Sequence, residues 1–490
     1  MQYCTPEQAG ISSARIIDFY KELERYQLST HAVILARGDK IISEAYWAPF
    51  HAEFKHRMYS VSKCFVSVAI GFCEQDGLLS LDDPMIKFFP DYVAREGATA
   101  HSSTIREMLK METTVEHGVN WFKSGTNDRT EVYFQSAEQK YPGTLFKYDS
   151  SATYMLGVIV ERLTGKPFLS YLQEKVLDEI GFSKDAYCIQ APGGHSFGDS
   201  GIMCTARDLL LFARFVLNKG TFGGKRYLNE AYLNDALTMS VCDEDYGFNN
   251  HAAYGYGYQF WGAPRGTFGM FGMGNQIACC DPKHDFIFII NSDNQGNAHN
   301  YEQIFEAFSR NVLDHLDETT QVSDMASQLA LAKIERTRKL FSLPMATESA
   351  FSKEIDGATF TCDENPMGIR WFRLDFDGKR GVFSYENAQG EKSFPFGFGY
   401  NEFAKFPEEG YSDLVATIPA PGNYYDAAFS ADWAEEKKLR IRVQIIDKYF
   451  GNLAIVLGFR DANTVSMRMT KKAEAFLKEY DGIANAKARA

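Results

Sequence analysis

Residues 12–26 place Ile16, Ile17, Tyr20 and Leu23 at three- and four-residue spacing, one face of a helix, with Ser12 or Ser13 as its N-cap. The pattern then changes period. His31 to Arg37 and Lys40 to Tyr46 are apolar runs separated by Gly38-Asp39, which predicts two strands joined by a tight hairpin. Ser60 to Gln75 is apolar on most faces and ends at Gly77, the pattern of a buried helix. Helical periodicity and caps return over Ser103–Met111, Ser151–Thr164, Phe168–Ile180 and Thr205–Leu217. Two β runs, Gln276–Cys280 and Phe286–Ile290, flank the turn Asp281-Pro282-Lys283-His284-Asp285, and a helix over Tyr301–Leu316 follows.

Beyond this point the texture shifts. Residues 321–350 are polar and helix-prone, a linker or an outer helix. From about 351 short alternating runs take over, at Phe372–Phe376, Gly381–Tyr385, Leu414–Ile418, Leu439–Ile446 and Leu453–Phe459. Turn residues such as Asp377-Gly378 separate them, so the C-terminal part predicts an antiparallel barrel or sandwich. A last helix is expected over Lys471–Tyr480, ahead of a frayed Ala/Lys-rich tail. The expected domains are therefore 1–320, a connecting segment 321–350, and 351–490.

Composition narrows the function classes. The 490 residues are 45% hydrophobic and 14% aromatic, enough for large cores and too much for a disordered chain. Fifty-one Lys and Arg against 64 Asp and Glu give a net charge of −13, which argues against nucleic-acid or anionic-membrane partners. The start of the chain lacks a secretory apolar segment, and Phe65 to Cys73 is too short to span a bilayer, so a cytoplasmic location is expected. Nine cysteines without a C-x-x-C pair fit reduced thiols, and the ten histidines form no metal-binding pair. No metal or organic cofactor is implied. The expected partner is a small-molecule or short-peptide substrate, with homo-oligomers left open.

Candidate chemistry concentrates at Tyr59-Ser60-Val61-Ser62-Lys63. If a helix begins at Ser60, Ser60 and Lys63 lie one turn apart on the same side. A lysine held beside an apolar run loses hydration and its pKa falls, so the neutral amine can take a proton from a hydroxyl. The helix N-terminus adds backbone N–H groups for a developing oxyanion. Alone, the same spacing fits a Ser N-cap followed by a solvated lysine.

Six segments in order over about residues 5–315 alter that balance. They are TPEQAGI from Thr5, YSVSK from Tyr59, DGLLSLDDP from Asp76, TIREML from Thr104, PGTLFKYDS from Pro142 and GIMCTARDL from Gly201. Together they resemble the serine β-lactamase and penicillin-binding-protein superfamily, in particular its class-C-like branch of β-lactamase-related esterases and D-aminopeptidases. The resemblance implies an α+β fold, an antiparallel sheet flanked by helices with an all-helical subdomain, here followed by a small C-terminal antiparallel β-barrel.

It also implies Ser60 as nucleophile, Lys63 as its base partner and Tyr148 as the second proton-transfer group, its phenol drawn toward the anion by the lysine. Ser150 stands where the family's Y-x-N has Asn; a hydroxyl is shorter and has one donor. The third motif resembles Met270-Phe271-Gly272-Met273-Gly274-Asn275-Gln276, where Gly272 allows close backbone approach and Met273 offers a second oxyanion N–H beside that of Ser60. With Met270 in place of Lys or His, no cation awaits a substrate carboxylate. The same glycines and methionines also fit a packed hairpin.

Trp47, Trp121 and the Tyr254–Tyr258 run read as core aromatics, Arg207 and Asp208 as structural, and His195 as a loop residue without a role. The implied function is hydrolysis of an ester or amide through an acyl-enzyme on Ser60. A β-lactamase or D-alanyl-D-alanine-type peptidase, and an inactive binding scaffold, are the alternatives.

Overall fold

The structure, a computed structural model, describes all residues except 116–127, 242–253, 317–323, 410–421, 423, 474–476, 478 and 490. Trp121, Cys242, the run Leu414–Ile418 and part of the expected helix Lys471–Tyr480 lie outside the described residues. The described chain forms two compact units. The first comprises Met1–Ser292 and His299–Lys339, the second Asp293–Ala298 with most residues from Leu340 onward.

The first unit is built on a seven-stranded sheet: β1 (Gln2–Tyr3), β2 (Thr30–Arg37), β3 (Lys40–Tyr46), β4 (Trp261–Gly262), β5 (Phe268–Gly272), β6 (Gln276–Asp281) and β7 (Phe286–Ser292). Their order is β1-β3-β2-β7-β6-β5-β4. All pairs are antiparallel except β1 with β3. Strands β2, β6 and β7 are buried almost throughout, which requires cover on both faces. Helices α1 (Ser13–Arg25), α5 (Asn300–Asn311) and α6 (Met325–Thr337) cover one face, where Ile16, Phe19, Phe308 and Leu331 meet Val33, Phe288 and Ile290. Helix α4 (Ala206–Leu217) packs on the other. Helices α2 (Ser62–Gln75) and α3 (Ser150–Thr164) pack together in a largely helical region between β3 and β4.

The sequence signals mark these ends closely. Ser12 caps α1 by accepting from the Arg15 N–H at 3.4 Å, and Thr205 with Asp208 forms a reciprocal capping box on α4. The run 321–350 contains α6, whose Leu331 is buried against the sheet layer. No helix among the described residues is long and apolar enough to cross a membrane.

The second unit is a ten-stranded sheet: β8 (Thr359–Cys362), β9 (Trp371–Asp377), β10 (Arg380–Asn387), β11 (Gly390–Phe398), β12 (Glu402–Glu409), β13 (Tyr424–Glu435), β14 (Lys438–Ile446), β15 (Phe450–Asp461), β16 (Thr464–Ala473) and β17 (Gly482–Ala488). The order is β11-β10-β9-β8-β17-β16-β15-β14-β13-β12, and a parallel pairing of β11 with β13 closes nine strands into a barrel. Alternate side chains fill it. Phe360, Phe372, Phe383, Phe394 and Phe429 form a run of stacked or tilted rings with successive centroids 4.9–5.7 Å apart.

Two sequence expectations fail at the C-terminus. Lys471 to Ala473 belong to β16, not to a helix, and the expected frayed tail contains β17, which pairs with both β8 and β16. The Ala- and Lys-rich residues have helical propensity and no large alternating side chains. Pairing on both edges and burial of Ala484 and Ala486 override that propensity. Truncation after Tyr480 should therefore open the barrel and expose two strand edges, giving aggregation and loss of cooperative unfolding. Size-exclusion chromatography and urea denaturation check this; a wild-type midpoint would mean that the segment contributes nothing.

Candidate active site

Ser60 lies in a 3-10 turn, Tyr59–Val61, that leads directly into α2. The turn is shaped by the residue before it. Tyr59 has φ +47°, a left-handed conformation that an aromatic residue adopts only where its surroundings enforce it. Here the Tyr59 ring is buried, with the Arg57 guanidinium 4.4 Å from its centroid. The bend places Ser60 at a helix start, where first-turn amides lack intrahelical acceptors.

Lys63, one turn on, is buried. Its Nζ is 3.0 Å from Ser60 Oγ and donates to the carbonyl of Asp199 at 2.7 Å. Burial lowers its pKa from the ordinary lysine value to about 8, partly offset by the Asp199 carboxylate. Keeping the charged amine there costs the folded state roughly 3 kcal/mol.

Tyr148 precedes α3 and meets the same two groups. Its ring centroid is 5.2 Å from Lys63 Nζ, and its ring stacks on Trp261 at 5.6 Å. Its phenol departs from the sequence expectation. Burial raises its pKa, and the hydrogen bond with Ser60 only partly counteracts this, so Tyr148 rests as a protonated phenol. The reason is desolvation: the same burial that lowers the lysine pKa also disfavours a phenolate.

The remaining expected residues fall as follows. Ser150 opens α3 behind its cap Asp149, a buried carboxyl whose pKa is raised by burial. Among the described residues, Lys63 donates its second hydrogen bond to the Asp199 carbonyl and makes none with Ser150. Gly272 ends β5, where a Cβ would lie 2.3 Å from the Met58 carbonyl oxygen; only glycine lets the strand approach the turn before Ser60. Met273 is half-buried in the turn that follows, which Gly274 (φ +77°) and Asn275 (φ +72°) carry back to β6. Met270 and Phe271 are both buried, so neither side chain at the head of this motif offers a charge. Arg265 is paired with Asp314.

Other sequence candidates are structural. Trp47 packs edge-on against Tyr20, Arg207 pairs with Glu44, and His195 is tied to Glu161 at 2.7 Å. The eight described cysteines are all free. Sequence reasoning passed over three residues: Asp199, which holds the lysine, its partner Arg129, and Trp261 behind Tyr148. The only signal for the first was the tight Gly198-Asp199-Ser200-Gly201 turn.

A sheet flanked by helices, with Ser-x-x-Lys at the start of a buried helix and a tyrosine beside it, matches the class of fold that the sequence resemblance implied. Residues 16–307, more than half of the chain, match the Beta-lactamase family. The chain belongs to the beta-lactamase family and is an enzyme of that family. It is 25% identical over 300 residues to the 6-aminohexanoate-dimer hydrolase of Paenarthrobacter ureafaciens, an alignment covering 56% of this chain and 75% of that one. An uncharacterized protein of Alkalihalophilus pseudofirmus is 22% identical over 238 residues, 43% of this chain and 65% of its own length. A penicillin-binding-protein homologue from Caulobacter crescentus shares the fold, with TM-score 0.51 and 15% identity over 62% of this chain and 99% of that structure.

Gly272→Ala should destabilise the protein by about 1–3 kcal/mol, since the methyl group meets backbone rather than a movable side chain. Denaturant unfolding measures it. An unchanged midpoint would mean that the strand and the Ser60 turn can separate freely.

Proposed function

We propose that this protein hydrolyses an ester or amide bond through an acyl-enzyme on Ser60. The observation that carries the reading is the buried Lys63 amine, with a pKa near 8, 3.0 Å from Ser60 Oγ. In its neutral form Lys63 accepts the Ser60 proton as Oγ attacks the substrate carbonyl carbon. The N–H groups of Ser60 and Met273 receive the oxyanion. Tyr148, protonated at rest, gives its proton to the leaving alcohol or amine and regains one from the Lys63 ammonium. The leaving group thus departs with the proton that Ser60 lost. Water then attacks the acyl carbon, its proton passing through the same pair, and Ser60 is released as the hydroxyl. Ser150, two residues beyond Tyr148, is assigned as a substrate-contacting hydroxyl on the resemblance alone.

Similarity to a 6-aminohexanoate-dimer hydrolase supports amides, the bond an amino acid forms with a second copy of itself, alongside esters as candidate substrates. Ser60→Ala should abolish labelling by a fluorophosphonate and lower turnover by several powers of ten, with the melting temperature nearly unchanged. Retained activity in that variant would reject the assignment.

Substrate charge is a second test. The third motif presents buried Met270 and Phe271 where a cation would meet a carboxylate. A carboxylate left without a donor in a partly desolvated site loses about 1–3 kcal/mol, roughly tenfold to a hundredfold in affinity. Neutral p-nitrophenyl esters should therefore exceed matched carboxylate-bearing substrates, penicillins included, in kcat/KM. A penicillin hydrolysed faster than a neutral ester of similar reactivity would overturn this expectation.

A further inference from the structure

The base partner of Ser60 is held by a turn, and two buried arginines grip that turn from different elements. Arg129, the first residue of the helix Arg129–Gln135, makes a two-bond ion pair with Asp199: Nη1 donates to Oδ1 at 2.6 Å and Nη2 to Oδ2 at 3.2 Å, with both side chains almost fully buried. Arg57, on the short strand His56–Arg57, donates from Nε to the Ser200 carbonyl at 3.0 Å and from Nη2 to the Ser200 hydroxyl at 3.1 Å. The Phe197 ring lies between them, with the guanidinium carbons 5.4 Å (Arg57) and 5.0 Å (Arg129) from its centroid.

The turn itself leaves no slack. A Cβ on Gly201 would lie 2.8 Å from the Phe197 carbonyl oxygen, and one on Gly198 would lie 3.1 Å from Val66 of α2. Its product is a single directed group, the Asp199 carbonyl, 2.7 Å from Lys63 Nζ.

We propose that Arg129 and Arg57 are positioning residues: they clamp the 197–200 turn so that the Asp199 carbonyl aims the Lys63 amine at Ser60, and the Arg129–Asp199 pair balances the charge around that amine. This rests on the reading of Ser60 as nucleophile and Lys63 as its base. A neutral amine has one lone pair and two N–H bonds. Anchoring one N–H on a fixed carbonyl turns the lone pair toward Ser60 Oγ instead of leaving it to rotate. The fixed carboxylate and guanidinium act on the amine with opposite sign, Asp199 favouring its charged form and Arg129 disfavouring it. Other groups acting on Lys63 among the described residues include Cys64 on its own helix, Asp149 at the cap of α3, and the Tyr148 ring. An intact pair thus leaves burial in control. Either partner alone would tip the balance in a known direction.

The test is the pH dependence, between pH 6 and 10, of fluorophosphonate labelling at Ser60 and of p-nitrophenyl butyrate hydrolysis by the full-length protein. Wild type should rise through a limb near pH 8. Arg129→Gln leaves an unbalanced carboxylate and should move the limb up by about one pH unit; Asp199→Asn leaves an unbalanced guanidinium and should move it down by about as much. Arg129→Lys keeps the charge without the fork, so its limb should stay in place while the plateau rate falls about tenfold through lost alignment. If the single neutral variants do not fold, Arg129→Gln/Asp199→Asn carries the test, with the limb near that of wild type and a plateau reduced to a similar degree.

The proposal is overturned if both single variants keep the wild-type limb or shift it in the same direction. It is equally overturned if Arg129→Lys or the double variant keeps the wild-type plateau. Failure of wild type to label at Ser60 would instead remove the underlying reading. Labelled wild type with charge-insensitive variants removes only the clamp.

Discussion

A single buried amine organises the site. Lys63 has given up its hydration, and it tolerates this because Ser60 Oγ and the Asp199 carbonyl occupy two hydrogen-bonding directions around it. Each neighbour is fixed in turn by something costly. Ser60 follows a tyrosine in the left-handed region, and Asp199 is bound to a buried arginine. Features of this kind destabilise a fold, and they persist where geometry matters more than stability.

The same desolvation acts on Lys63 and Tyr148 in opposite directions. Burial disfavours the charged form of both, lowering the pKa of the amine and raising that of the phenol. A lysine neutralised near pH 8 becomes a base at the pH where the phenol still carries its proton. In the proposed mechanism the pair accepts from one atom and donates to another.

Close backbone approach is the other constraint. At Gly272 the end of β5 meets the carbonyl of Met58, and at Gly201 the turn folds onto Phe197. Through these contacts a strand from the sheet and a loop between helices reach Ser60 from separate parts of the chain. The barrel illustrates the converse case, in which nine strands close by edge pairing, and even a weak segment such as Gly482–Ala488 is enlisted because both its neighbours need partners.

The sequence by itself determined the elements with strong periodicity and caps: α1 behind Ser12, the hairpin about Gly38-Asp39, α4 behind Thr205, and the one-turn spacing of Ser60 and Lys63. These depend on residues near each other in the chain, so local pattern suffices to read them. Leu439–Ile446 and Phe372–Phe376 were legible as strands for the same reason. Tertiary structure alone decided that Lys63 rests on the carbonyl of Asp199, that Arg129 faces Asp199 across 70 residues of chain, that burial raises rather than lowers the Tyr148 pKa, and that the tail becomes a strand. Those outcomes come from burial and pairing between distant segments. Desolvation and strand-edge pairing are properties of the assembled surroundings, and no stretch of sequence carries them alone.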